Sequence, residues 1–125
     1  STLMRSSAAS DVYKRQMYTI TKRMEISGAH ILSLDYESKC TKLHGHNWII
    51  TVTAQSETLN HNGMVVDFTH IKKVVNQLDH VCINDVIKDR NPTAENIAKW
   101  IYDQIPHCVR VSVEETEGNV ATYEA

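Results

Sequence analysis

Apolar and polar residues alternate from Tyr18 onward. Tyr18, Ile20, Met24 and Ile26 share one parity; Thr19, Thr21, Arg23 and Glu25 share the other, and Lys22 is the one break. A period of two marks a strand with one face buried. The same parity, carried through Gly28, brings His30 onto the apolar side unless a bulge at Gly28 resets it. Residues 31–39 read as a loop. A second strand is expected at about His44–Gln55, where Trp48, Ile50 and Val52 recur at every second position among β-branched neighbours.

Ser56–Gly63 is polar and ends in Asn62-Gly63, a strong turn pair. Met64-Val65-Val66 reads as a short third strand, the return of a hairpin. Asp67 is placed to cap a helix in which Phe68, Ile71, Val74, Val75 and Leu78 follow at helical spacing. Asp79–Asn84 reads as an ordered connection. A second helix opens at Asn91-Pro92-Thr93-Ala94-Glu95-Asn96, with Thr93 as cap and Glu95 as a first-turn charge. Its apolar stripe is Ala94, Ile97, Ala98, Ile101 and Ile105, and Pro106 ends it. Val109, Val111 and Val113 alternate with Arg110, Ser112 and Glu114 as a fourth strand. Glu117-Gly118-Asn119 turns the chain into a fifth, Val120–Glu124. The order β-β-(β)-α-α-β-β predicts an α+β fold, an antiparallel sheet with two helices on one face.

The chain has 125 residues, enough for one domain whose core needs no disulfides. A formal charge of -2 gives no hint of nucleic acid or of an anionic membrane surface as partner. No apolar run approaches the roughly 18 residues of a transmembrane helix. Cys40, Cys82 and Cys108 are odd in number and lack framework spacing, which points to a reducing compartment, hence the cytoplasm. Cys82 and Cys108 read as ordinary buried thiols. Residues 1–16 have no periodicity and no secretory h-region. They read as a disordered or vector-derived leader, with Met17 as the natural start and residues 17–125 as the single domain.

The chemistry concentrates in Cys40-Thr41-Lys42-Leu43-His44-Gly45-His46. On a strand His44 and His46 project to the same face, in register with Trp48. Imidazole is the commonest metal-binding side chain, and two on one face make half of a zinc site. His30 is the candidate for the third. Gly45 between them suggests a close approach. Cys40 has three readings: a thiol activated as a base by a nearby cation, a zinc ligand in a Cys-His-His set, or a loop thiol without a role. Asp79-His80 is either an acid/base pair or a histidine complementing a helix end. Glu115 shares the parity of the valines, where a buried carboxylate wants paired N–H donors; otherwise the strand has ended and it is solvated. His61, His70 and His107 have no partner at ligand spacing and read as surface.

Ser27-Gly28-Ala29-His30, Cys40-x-x-x-His44-Gly45-His46, Leu78-Asp79-His80, Pro92-Thr93-x-Glu95-Asn96 and Val111-x-Val113-x-Glu115-Thr116 occur in that order. Together they resemble the 6-pyruvoyl-tetrahydropterin synthase family across essentially all of residues 17–125. The resemblance is strongest to its bacterial branch, the 6-carboxytetrahydropterin synthases of queuosine biosynthesis. That branch has three residues between the cysteine and His-Gly-His, where the animal-type enzymes generally have five.

The resemblance implies a tunnelling fold, with strands of neighbouring subunits joining into a barrel and trimers pairing into hexamers. It implies zinc on His30, His44 and His46, and proton abstraction by Cys40. It implies a second acid/base relay of Asp79 and His80 that works on the zinc and Cys40 of a neighbouring chain. Glu115, with Thr116, would hold the pterin; a one-residue slip hands that role to Glu114. The implied substrate is 7,8-dihydroneopterin triphosphate. The implied product is 6-carboxy-5,6,7,8-tetrahydropterin, with release of acetaldehyde and triphosphate. The 31–39 loop carries no arginine, which leaves Lys39 and Lys42 as candidates for the triphosphate. Two alternatives stand beside this reading. One is the pyruvoyl product from the same substrate. The other is a non-catalytic, zinc-stabilised pterin-binding module with Cys40 in a closed metal shell.

Overall fold

Alternation produces two long strands that pair along their whole length. In the computed structural model, which describes residues 16–125, β1 is Tyr18–His30 and β2 is His44–Ser56. Their antiparallel register is unbroken from Tyr18 opposite Ser56 to His30 opposite His44, so no bulge intervenes at Gly28. The leader expected at residues 1–16 falls outside the described residues, Gln16 apart. The remaining elements are α1 (Phe68–Asn76), β3 (Val81–Cys82), α2 (Ala94–Tyr102), β4 (Cys108–Thr116) and β5 (Asn119–Glu124). The sheet runs in the order β3-β1-β2-β4-β5.

Both helices start where the sequence places their caps. The Asp67 carboxylate accepts from the Thr69 N–H at 2.8 Å, and the Thr93 hydroxyl from the Asn96 N–H at 3.1 Å. Each satisfies an N–H that the first helical turn leaves open. The buried stripes are Ile71, Val74 and Val75 on α1, and Ile97, Ala98 and Ile101 on α2. They meet Ile26, Trp48, Ile50, Val52, Val111 and Val113 in one apolar cluster, so both helices cover the same face of the sheet. Burying each large side chain of this kind stabilises the fold by roughly 1.5–3 kcal/mol. Among the described residues no helix is long and apolar enough to cross a membrane.

Three expectations are corrected. Met64-Val65-Val66 is not a strand. The Asn60 side chain accepts from the N–H groups of Asn62 and Met64, and the Asn60 N–H donates to the Met64 carbonyl. The segment therefore closes on itself, and Val65 is buried without a strand partner. The sheet is not wholly antiparallel, because β3 runs parallel to β1 with Val81 opposite Gly28. The helices are also shorter than their apolar patterns: Leu78 and Ile105 are buried from the turns that follow α1 and α2.

One close approach fixes β1 against the core. A Cβ on Gly28 would lie 2.9 Å from the Leu78 carbonyl oxygen and 3.1 Å from Ile83 Cδ1. At Gly45 the nearest atom, the Gly28 carbonyl oxygen, would be at an ordinary 3.7 Å. The tight contact expected at Gly45 is thus at Gly28. Gly28→Ala is expected to lose about 1–3 kcal/mol, the usual result of overpacking, and Gly45→Ala clearly less. Urea denaturation of both variants at one protein concentration measures this. Equal midpoints would contradict it.

Candidate active site

The register of β1 and β2 sets His30 directly across from His44, and His46 follows two residues along on the same face. The three side chains bring their ligand atoms within 4.8 Å of one another. Trp48 forms the floor: its ring lies 5.0 Å from that of His30 and 5.1 Å from that of His46, edge to face. Its indole N–H donates to the Gly28 carbonyl at 3.0 Å, which ties the floor to β1.

Backbone carbonyls select the tautomers. His30 Nδ1 lies 2.8 Å from the Pro92 carbonyl, and His44 Nδ1 lies 2.7 Å from the Lys42 carbonyl. A carbonyl only accepts, so Nδ1 carries the proton in both and Nε2 keeps its lone pair. His30 is fully buried. Nε2 of His30 and of His46 is buried without a hydrogen-bond partner among the described residues. Burial pushes the pKa of His30 below the usual histidine value, chiefly by desolvation, with the Pro92 contact opposing and His44 and His46 adding to the drop. Desolvation lowers His46 too, opposed by Glu115. Three imidazoles converging in this way form a donor set suited to a divalent cation such as zinc.

Glu115 joins the histidines. Its carboxylate lies 3.6 Å from His46 Nε2 and 4.0 Å from His30 Nε2. The pairing of β4 with β5 is irregular between Glu114 and Thr116, and this bulge separates the two neighbouring acids. The Glu114 carboxylate accepts from the Gly118 N–H at 3.1 Å, inside the turn. Glu115 borders a hollow of about 370 Å³ that also touches Ala94 and Glu95 at the start of α2. The Thr116 hydroxyl is turned to the hairpin, where it accepts from the Asn119 amide at 2.6 Å.

Cys40 lies in a short 3-10 turn, Lys39–Thr41, and is half-buried. Its thiol is not part of the ligand cluster, so the geometry gives no support to a Cys-His-His set. Asp79 and His80 stand at the β3 edge. The Asp79 carboxylate accepts from the Ser27 N–H at 2.9 Å and lies 3.0 Å from His80 Nδ1. The Ser27 N–H, followed by His80, holds the Asp79 carboxyl below the usual carboxylate range. The His80 N–H donates to the Ser27 carbonyl, and the residue is left-handed at φ 57°. Its imidazole is 80% exposed and points into a cleft of about 520 Å³ that includes Ser27, Asn47 and Cys82. His80 lies beyond the C-cap of α1 and is partnered by Asp79.

Two other placements, His70 and Cys82, differ from the expected surface and core. His70 is half-buried and bonds the Gln104 carbonyl at 3.1 Å. Cys82 is half-buried rather than buried, while Cys108 is in the core. His61 and His107 are exposed.

Two residues that sequence reasoning missed hold the loop after β1. Asn84 accepts from the Ile31 N–H at 2.8 Å and donates to the Ile31 carbonyl at 2.9 Å. Asn91 does the same to Ser33, at 2.9 and 3.0 Å. Their partners are backbone groups 53 and 58 positions away, so no local pattern announces them.

The profile of the family described as 6-pyruvoyl tetrahydropterin synthase matches residues 19–125. The chain is 32% identical over 123 residues to the 6-carboxy-5,6,7,8-tetrahydropterin synthase of Bacillus subtilis, covering 85% of this chain and 84% of that one. It is 36% identical over 90 residues to the dihydroneopterin monophosphate aldolase of Pyrococcus furiosus, covering 69% and 73%. The solved 6-pyruvoyl tetrahydropterin synthase of Caenorhabditis elegans superposes with a TM-score of 0.70 at 26% identity, covering 88% of this chain and 96% of that one. With a match over nearly the whole described chain, this protein belongs to the 6-pyruvoyl tetrahydropterin synthase family.

Proposed function

We propose that this enzyme is zinc-dependent and converts 7,8-dihydroneopterin triphosphate to 6-carboxy-5,6,7,8-tetrahydropterin, releasing acetaldehyde and triphosphate. The observation that carries the reading is the pair of buried, unpartnered Nε2 atoms on His30 and His46, converging with His44 beside the Glu115 carboxylate. His30, His44 and His46 would hold the zinc. Bound there, zinc supplies Lewis acidity toward the hydroxyl and developing carbonyl oxygens of the substrate side chain.

The chain's own residues supply the rest. Cys40, as thiolate, takes a proton from carbon. His80 moves a proton at the second carbon, with its Nδ1 held by Asp79 and Nε2 free to transfer. Glu115 accepts two parallel N–H bonds from the pterin, a charge-assisted pair that aims the side chain at the histidines. Thr116 lies at the same strand end. In the proposed assembly, a cytoplasmic hexamer built from two trimers, Asp79 and His80 serve the site of the adjoining chain. The similarity to a 6-carboxytetrahydropterin synthase supports the carboxy product. The fold match to a pyruvoyl enzyme keeps the pyruvoyl product as the second reading.

The deciding experiment is incubation with 7,8-dihydroneopterin triphosphate and mass analysis of the pterin. A carboxy product is expected. A pyruvoyl product moves the assignment to the second reading, and a zinc-loaded protein that leaves the substrate intact reduces it to a binding module.

Metal analysis is expected to find about one zinc per chain in the wild type and little in His44→Ala or His46→Ala, since each removes one of three ligands. Wild-type stoichiometry retained in both variants would sink the site. Cys40→Ala and His80→Ala are each expected to lower turnover by two orders of magnitude or so, the usual worth of an acid or base. Refolded together, they should regain part of the activity, because some mixed interfaces pair an intact Cys40 with an intact His80. A stable oligomer that shows no rescue would place the whole catalytic set within one chain.

A further inference from the structure

Residues 31–33 follow the end of β1, and their backbone polar groups alternate between two sides. The N–H and carbonyl of Ile31 face Asn84, those of Ser33 face Asn91, and the Leu32 N–H between them donates to the Cys40 carbonyl at 2.8 Å. A strand between two partners has this alternation. Here one partner is the loop carrying Cys40. The other is a surrogate strand made of two side-chain amides, each offering one donor and one acceptor.

Asn91 does more than Asn84. Its carbonyl accepts from the Thr93 N–H and from the Asn96 side-chain amide, both at 2.8 Å. That fixes the peptide leading into Pro92, whose carbonyl receives Nδ1–H of the buried His30 at 2.8 Å. The chain from His30 to Ser33 is thus closed into a ring through Asn91-Pro92. The main chain of Asn91-Pro92 grips the imidazole, and the Asn91 side chain grips the backbone three residues later. Outer contacts of this kind fix the orientation of a metal ligand, and removing one typically lowers metal affinity about 10–100-fold.

We propose that Asn91 is a positioning residue that orients two groups at once: His30 as a metal ligand, and the loop that places the Cys40 thiol. The inference rests on the zinc and Cys40 roles proposed above. It assigns separable tasks to three asparagines. Asn96 acts on His30 through the Asn91 carbonyl, Asn84 acts on the loop through Ile31, and Asn91 acts on both.

The test uses the full chain and two readouts other than turnover. One is zinc affinity, by competition with a chromophoric chelator. The other is the alkylation rate of Cys40 by iodoacetamide in zinc-free protein, resolved from Cys82 and Cys108 by peptide mass analysis. Asn91→Ala is expected to weaken zinc about 10–100-fold and to change the Cys40 rate severalfold. Asn96→Ala should weaken zinc and leave the Cys40 rate near wild type. Asn84→Ala should do the reverse. Asn91→Asp keeps the acceptor for the Ser33 N–H and loses the donor, so it should fall between wild type and Asn91→Ala on both measures. It decides the matter if the alanine variant does not fold. Wild-type zinc affinity and Cys40 reactivity in Asn91→Ala, or in Asn91→Asp where the alanine variant is unfolded, overturn the proposal. So does an identical pattern in all three alanine variants. A wild type that binds no zinc would instead defeat the proposed function, which keeps the two failures distinct.

Discussion

The unbroken pairing of β1 with β2 is the constraint on which both core and site depend. The same register that buries Ile26 opposite Trp48 places His30 opposite His44 and Gly28 opposite His46. Side chains alternate faces, so a slip of one residue would turn Trp48, Ile50 and Val52 outward together with the imidazoles. Apolar burial along the strands therefore stabilises the one alignment in which the histidines converge. The polar cluster does not specify its own geometry. It inherits it from the hydrophobic face that continues it.

The local cost of that arrangement is considerable. A buried polar atom without a partner typically costs about 1–3 kcal/mol, and His30 and His46 each present one. The protein limits the cost at the other ring nitrogen, where Pro92 and Lys42 carbonyls hold the protons of His30 and His44. What remains is a pair of buried Nε2 atoms with no hydrogen-bond partner among the described residues. A bound cation would turn each orphan into a ligand, which makes metal binding in such a site a contribution to folding as well as to chemistry.

How much could be read in advance follows from how local each cause is. His30, His44 and His46 were visible because strand parity needs only neighbouring residues. The helix caps Asp67 and Thr93 were visible for the same reason. The parity argument also put Glu115 on the inner face, but the bulge that frees it from Glu114 depends on how the β4–β5 turn closes. Met64-Val65-Val66 had the composition of a strand and lost to a side-chain cap from Asn60, a competition that composition does not reveal. β3 has two residues and exists because the turn after α1 delivers Val81 to β1. Asn84 and Asn91 act on backbone atoms more than fifty positions away, so their task becomes apparent only once the chain has folded.

Within one chain the cleft at His80 also touches Gly45 and His46, while Glu115 borders a separate hollow. Their levels along the sheet nevertheless coincide. β3 lies against Gly28 and Ala29, at the end of β1 that carries His30. Glu115 is at the matching end of β4, and the first residues of β5 border its hollow. The sheet ends in β3 on one side and β5 on the other, with Val81 and Val120 exposed at those edges. Unpaired edges of this kind invite another strand. An assembly of the proposed kind could join β3 of one chain to β5 of the next. Because both edges are at the same level, that union would bring an exposed, left-handed His80 toward the neighbour's Glu115 and its histidines. A strained residue persists where its surroundings hold it for a purpose. His80 is held by Ser27 and Asp79, and among the described residues its ring pairs with the Asp79 carboxylate alone. Under the proposed assembly that purpose would lie across the subunit boundary.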